Sequence, residues 1–305
     1  MGYLTEVDER ASSGPDVPWL EDLEEARARV AEAVSDIRCV LAVMSGKGGV
    51  GKSVVAVNLA VALAQRGLRV GILDADLQGP SVPKMLGLRG QPIRLHTDGR
   101  MRPVPGPAGL VVQSMDFFLQ GSEPLEWEGP VAEGAPLRSA MEAAALADLL
   151  GRTDWGALDV LVVDLPPGAD RLPELASWLP RRLQALAVAI PTEVALLAVE
   201  RSLRRAQGAR VPLVGLVENC ASAVCSACGN EDPLYGEASV EPLLRDLGIE
   251  RVARLPFDPA LAAAADAGSL YLEGPGRASA AGRAFAALAQ RIATLHHDVR
   301  EADSW

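Results

Sequence analysis

The chain has 305 residues, 49% of them hydrophobic, with a formal net charge of −11 and a pI near 4.9. That length can bury one large α/β core or two smaller ones, and the apolar content excludes wholesale disorder. The acidic balance argues against nucleic acid as a partner, which needs a clustered basic surface; no run of about 18 uncharged apolar residues suits a membrane span, and Glu6, Asp8 and Glu9 near the start are unlike a secretion signal, so a cytoplasmic protein without membrane contact is expected.

Residues 1–17 are polar, carry Ser12-Ser13-Gly14-Pro15 and read as a mobile leader. Residues 19–35 predict an amphipathic helix with Trp19, Leu23, Ala26, Val30 and Val34 on one face, packed on the core. Together residues 1–37 form a leader and helix ahead of the main domain. Cys39 opens an apolar run over 40–44, the pattern of a buried parallel strand, and is expected to be an inert buried thiol.

After that strand comes Gly46-Lys47-Gly48-Gly49-Val50-Gly51-Lys52-Ser53, followed by a helical pattern over 54–66 with Val54, Val57, Ala60, Val61 and Ala64 apolar. This is a complete phosphate-binding loop. Backbone N–H groups of Gly48, Gly49, Val50 and Gly51 can curve around phosphate oxygens, helped by the helix N-terminus. Lys52 is placed to reach the β/γ-phosphates and Ser53 to coordinate magnesium. Lys47 is a second lysine, able to pair with a local acid or to extend to a nucleotide held across a subunit interface.

The next strand, 69–73, ends in Asp74-Ala75-Asp76, at the strand end where such sheets place their sites. Asp76 is assigned to orienting the attacking water and Asp74 to the magnesium water network, with the two roles open to exchange. Residues 90–128, with Pro103, Pro105 and Pro107, suggest an inserted hairpin region before a helix over 131–150. The strand 158–163 then delivers Asp164, able to hold magnesium through water, and Leu165-Pro166-Pro167-Gly168, a switch segment in which Gly168 can offer an N–H to the γ-phosphate.

Further strands are predicted at 185–190, 212–217 and 251–255, with the basic pairs Arg181-Arg182 and Arg204-Arg205 read as helix faces. Asn219 is a candidate for a purine edge or, alternatively, a structural turn residue; Pro256 and Asp258 are candidate pocket walls. A helix over 276–297 has a mostly alanine face and is expected to pack on the core, leaving 298–305 as a tail. The βα rhythm over 38–297 predicts one doubly wound, mostly parallel sheet flanked by helices, a P-loop NTPase domain.

Cys225-Ser226-Ala227-Cys228-Gly229 has metal-ligand spacing, but two thiolates cannot complete a four-coordinate site. Either Cys220 joins with another ligand, or two protomers each donate a pair to a site on a two-fold axis, suited equally to an iron–sulfur cluster or zinc. A redox dithiol and incidental cysteines are the other readings.

Taken together, these motifs resemble the Mrp/ApbC family of iron–sulfur carrier ATPases, a branch of the deviant Walker A proteins that includes MinD-like and ParA-like ATPases. The resemblance covers roughly residues 38–275. It rests on the loop Ser45–Ser53, on Asp74-Ala75-Asp76-Leu77-Gln78-Gly79-Pro80-Ser81-Val82-Pro83 with Gly87 after it, on Trp155-Gly156-Ala157-Leu158-Asp159, on Asp164–Gly168, and on Asn219 ahead of the cysteine pair. It implies a homodimer with ATP sites facing the interface and Lys47 as the signature lysine. It also implies that Cys225 and Cys228 share a labile [4Fe-4S] cluster with their symmetry mates for delivery to apo-proteins, with scaffold proteins as further partners.

The chain departs from the family in reading Ala169-Asp170-Arg171 where Thr-Gly-Asp is usual, Trp127-Glu128-Gly129-Pro130 for Trp-Arg-Gly-Pro, and Cys220-Ala221 for Met-Ser. The competing expectations are a MinD/ParA-like positioning protein without a cluster and an ATPase with structural zinc.

Overall fold

The computed structural model describes residues 18–119, 135–179, 182–225, 228, 230–236 and 239–302. Readings on the leader and on Trp127–Pro130 fall outside these residues. In the first half of the chain, α1 (Pro18–Ala33) leads into β1 (Ile37–Ser45), α2 (Lys52–Ala64), β2 (Val70–Asp74) and the short α3 (Val82–Met85). Then come β3 (Arg94–Leu95), β4 (Met101–Arg102), β5 (Val104–Pro105), β6 (Val111–Ser114) and α4 (Ala135–Gly151). The second half alternates β7 (Leu158–Asp164), α5 (Leu172–Trp178), β8 (Leu183–Ala189), α6 (Glu193–Gly208) and β9 (Leu213–Glu218). It ends with β10 (Ser222–Val224), β11 (Glu231–Pro233), α7 (Glu241–Leu247), β12 (Arg251–Arg254), α8 (Pro259–Ala267) and α9 (Ala280–Ala302).

Eight strands form one sheet in the order β12-β9-β8-β1-β7-β2-β6-β5, parallel except where β5 runs against β6 at the edge. Strands buried on both faces must be apolar there, and β1 is over Cys39–Met44: Val40, Ala42 and Met44 enter one core, while Cys39, Leu41 and Val43 enter the other. The first core is completed by residues of α1, α4, α5, α6 and α7. The second is completed by residues of α2, α8 and α9, with Phe285, Leu288, Ala289 and Ile292 giving α9 its buried stripe. This is the expected doubly wound sandwich, and the C-terminal helix packs on the core.

α1 docks on α4 through Val30, which is fully buried, and an Arg29–Asp148 ion pair of 2.7 Å. Cys39 is 3% exposed and burial pushes its thiol up to about 12, consistent with an inert thiol.

Three sequence expectations change. Segment 90–128 is not simply an insertion: β3 and β4 do pair as a separate hairpin, but β6 joins the main sheet beside β2. Its short apolar run between proline-rich pieces concealed a strand that only pairing with β2 defines. Residues 298–302 belong to α9 rather than to a tail, because Asp298-Val299-Arg300-Glu301-Ala302 contains no helix breaker. Arg182 lies in the turn before β8, not on a helix, and its guanidinium donates to the Ile37 carbonyl. Arg204 and Arg205 do sit on α6, where Arg204 pairs with Glu200 and Asp246.

Candidate functional site

Parallel pairing puts the carboxyl ends of β1, β7 and β2 at one level: Val43 lies opposite Asp164, Asp164 opposite Asp74, and Asp74 opposite Ser114. The phosphate loop therefore leaves β1 directly over two acids. Gly49 and Gly51 have φ of 78° and 83°, the left-handed region that only glycine enters at little cost. Gly46 is required for a different reason: a Cβ there would lie 2.1 Å from the backbone nitrogen of Val199, so α6 presses directly on the loop.

Within this frame Lys52 is 6% exposed and its Nζ lies 2.5 Å from Asp164 Oδ1 and 3.2 Å from Ser53 Oγ. Asp164 is fully buried, and its Oδ2 has no hydrogen-bond partner. Asp74 is also fully buried; Oδ2 accepts from the Ser81 and Val82 N–H groups at 2.8 and 3.0 Å, and Oδ1 from Asp76 N–H at 3.3 Å. Burial, then repulsion from Asp164, pushes Asp74 up to about 8. Burial likewise raises Asp164, opposed by Lys52 and Ser53.

Asp164 Oδ2 offers a lone pair with no donor, and Asp74 stands in register beside Asp164. That donor set is hard and oxygen-based, and with the Ser53 hydroxyl beside it, it fits a magnesium ion. Asp76 is half-buried, and its Oδ1 accepts from Gly79 N–H at 3.2 Å. Lys47, Gly48 and Gly49 lie at the accessible side of the loop, where Lys47 is half-buried.

The remaining candidates are placed less simply. Gly168, with φ of 89°, donates its N–H to the Ser45 carbonyl at 3.0 Å, so in this state it is turned to β1 and not to a phosphate. Asn219, expected at a purine edge, is 6% exposed and its Nδ2 donates to the Val50 carbonyl at 2.8 Å. It braces the phosphate loop from the end of β9. A Cβ on Gly51 would lie 2.3 Å from that Nδ2, so the loop is glycine here for contact as well as for φ.

Pro256 is buried just after β12, and Asp258 has both carboxylate oxygens engaged within the fold. Its Oδ1 caps α8 through Ala260 N–H at 2.9 Å, and its Oδ2 accepts from Tyr271 Oη at 2.5 Å. The sequence signal for that cap, Asp before Pro259, was present.

Beyond Asn219 the chain turns through Cys220, at φ 50°, into the β10–β11 hairpin, a feature that short polar strands did not announce. The hairpin is pinned to the core by Ala221 N–H to Leu255 O at 2.9 Å and Phe257 N–H to Ser222 O at 2.7 Å. Cys225 and Cys228 are exposed at its tip, while Cys220 is half-buried with its thiol raised by burial. Among the described residues no three His, Cys, Asp or Glu side chains converge on a metal position. Of the two arrangements considered, the one in which Cys220 completes a site within one chain is not seen among the described residues: Cys220 is half-buried in the turn, while Cys225 and Cys228 are exposed at the hairpin tip.

A family model described as ParA: NUBPL iron-transfer P-loop NTPase matches residues 36–293. The chain belongs to this family. It sits with the Mrp/ApbC-like members of the MinD/ParA superfamily and is a P-loop ATPase. It is 38% identical over 245 residues, covering 80% of this chain and 79% of the relative, to an iron-sulfur cluster carrier protein of Saccharolobus solfataricus. It is 35% identical over 267 residues, covering 87% of this chain and 81% of the relative, to a mitochondrial iron-sulfur protein required for NADH dehydrogenase of Arabidopsis thaliana.

Among solved structures, a nucleotide-binding protein of Archaeoglobus fulgidus in complex with ADP is 33% identical with a TM-score of 0.68, covering 82% of this chain and 94% of that one. The cell division ATPase MinD of Pyrococcus furiosus, 21% identical with a TM-score of 0.55 and covering 85% of this chain and 99% of its own, shares the fold. No described helix is long and apolar enough to cross a membrane.

Proposed function

We propose that this P-loop ATPase is a homodimeric iron–sulfur cluster carrier: Cys225 and Cys228, with the same pair of a second copy, hold a [4Fe-4S] cluster as cargo for apo-proteins. The observation that carries the proposal is the connection from β9. One uninterrupted run of chain braces the phosphate loop at Asn219 and then presents two exposed thiols at Cys225 and Cys228. A change at the loop is thereby passed to the thiols through a few residues of pinned backbone. Membership in an iron-transfer family supports the cargo, and two thiols per chain support the shared site.

In this reading ATP lies along Gly48–Ser53, Lys52 leaves Asp164 to meet the β/γ-phosphates, and Lys47 faces the nucleotide of the second copy. Ser53 holds magnesium, with Asp164 and Asp74 around it; when bound, the ion supplies charge neutralisation at the phosphates. Asp76 orients the attacking water, and Gly168 N–H turns from Ser45 to the terminal phosphate, which makes residues 166–168 the switch. Pro256 lies towards the base.

Anaerobic reconstitution with iron and sulfide tests the cargo. Wild type should take up an absorbing cluster and elute as a dimer, and Cys225→Ser should lose the bound iron while keeping ATP binding. Full iron uptake by Cys225→Ser, or stoichiometric zinc with no cluster in wild type, would overturn the proposal.

A further inference from the structure

The family's switch segment is altered here to Ala169-Asp170-Arg171, and the structure shows what the altered residues do. Asp170 pairs with Arg205 of α6. Arg171 turns inward, and only 10% of its side chain is exposed. One guanidinium nitrogen, Nη1, donates to both Glu174 oxygens and to the Ser139 carbonyl, each at 3.0 Å. The other, Nη2, donates to Glu142 Oε2 on α4. The second Glu142 oxygen, Oε1, accepts from Gln78 Nε2 at 2.5 Å.

The sequence positions at the two ends of this chain of contacts matter. Gln78 stands two residues after Asp76, and Arg171 three residues after Gly168. All three clamp residues line a cavity of about 220 Å³ whose other walls include Asp76, Leu77, Pro166 and Pro167. The clamp is a polar connection between the two loops through one α4 side chain.

We infer that Arg171, acting through Glu142 and Gln78, is a positioning residue that sets the Asp76 loop and the Gly168 loop relative to one another for hydrolysis. This rests on the ATPase reading of the loop. The Arg171 guanidinium is committed to Ser139, Glu142 and Glu174; it fixes where the two groups that must meet the terminal phosphate stand, and misplacement of such groups costs rate more than affinity. A planar guanidinium suits the site because two separate nitrogens reach four acceptor atoms on three residues, a spread that the single nitrogen of an ammonium cannot span.

The test uses the full chain with Arg171→Ala, Arg171→Lys, Gln78→Ala and the Arg171→Ala/Gln78→Ala double variant. Loss of Arg171 should lower kcat roughly tenfold with KM for ATP within about twofold, and lysine should restore little. Because the clamp acts as one unit, adding Gln78→Ala to Arg171→Ala should cost nothing further. Independently of nucleotide, hydrogen exchange should quicken in residues 75–81 when Arg171 is lost and in residues 166–171 when Gln78 is lost.

Exchange confined to the mutated loop, or kinetic losses that multiply, would overturn the inference. Gln78 is exposed, so its variant keeps the exchange test in force if Arg171→Ala does not fold. Absence of ATP turnover in wild type would refute the ATPase reading instead, and the exchange result would then decide the coupling alone.

Discussion

Replacing Lys52 by methionine roughly keeps the volume of the side chain and removes the ammonium paired with buried Asp164, next to buried Asp74. Asp164 and Asp74 are each fully buried, and Lys52 Nζ is 2.5 Å from Asp164 Oδ1. Breaking a buried pair from one side leaves an uncompensated charge, an effect of about 3–5 kcal/mol. Both carboxyls already have folded pKa values above the ordinary 3.8, Asp74 at about 8, and in both cases Lys52 is among the groups holding the value down.

A carboxyl with a raised folded pKa contributes stability that is full below its unfolded value and is lost as pH rises through the folded one. Removing Lys52 raises both pKa values further, so the cost should be smallest towards about pH 4, where both acids hold protons in either protein, and should grow as pH rises, the Asp74 share of it developing only above about pH 8. Urea unfolding without nucleotide or magnesium, at both ends of that range, measures it. A loss under about 1 kcal/mol, or one of equal size at both pH values, would refute the reasoning. Adding Asp164→Asn should recover much of the stability by removing the orphaned charge.

Two other substitutions separate the loop from its surroundings. Asn219→Ala removes the donor to Val50 O and should raise KM for ATP several-fold, about 1 kcal/mol of lost loop organisation, with thiol reactivity at Cys225 altered in parallel; unchanged KM would show that the brace is dispensable. Tyr271→Phe removes a buried hydroxyl that donates to Asp258 and lies 2.6 Å from Ser279 Oγ. It should cost about 1–2 kcal/mol in thermal or urea unfolding and leave ATP turnover intact; a fall in turnover instead would assign Asp258 to the nucleotide after all.

The position of Arg171 also gives the family departure a physical meaning. An arginine at this position, after Pro166-Pro167-Gly168, exposes a charge if nothing receives it. Here Glu142 and Glu174 receive it, so the segment is held by these ion pairs.

The phosphate loop, the acids at Asp74, Asp76 and Asp164, the parallel α/β class and the cysteine pair were all legible in the chain, because each depends on local order: glycines before a helix, an acid at the end of an apolar run, two thiols at ligand spacing. What neighbouring strands do to those residues was not. That Asp74 and Asp164 stand in register, with Asp164 paired to Lys52, is a consequence of β2 pairing with β7 across the sheet.

In the same way β6 became a sheet strand only by pairing with β2, Asn219 became the brace of a loop far away in sequence, and Asp258 became a cap tied to Tyr271. The sequence by itself determined which chemical groups this protein carries, since motif and period are properties of adjacent residues. Only the tertiary structure decided which of them face one another, because burial and hydrogen bonding are settled by partners that the linear order does not name.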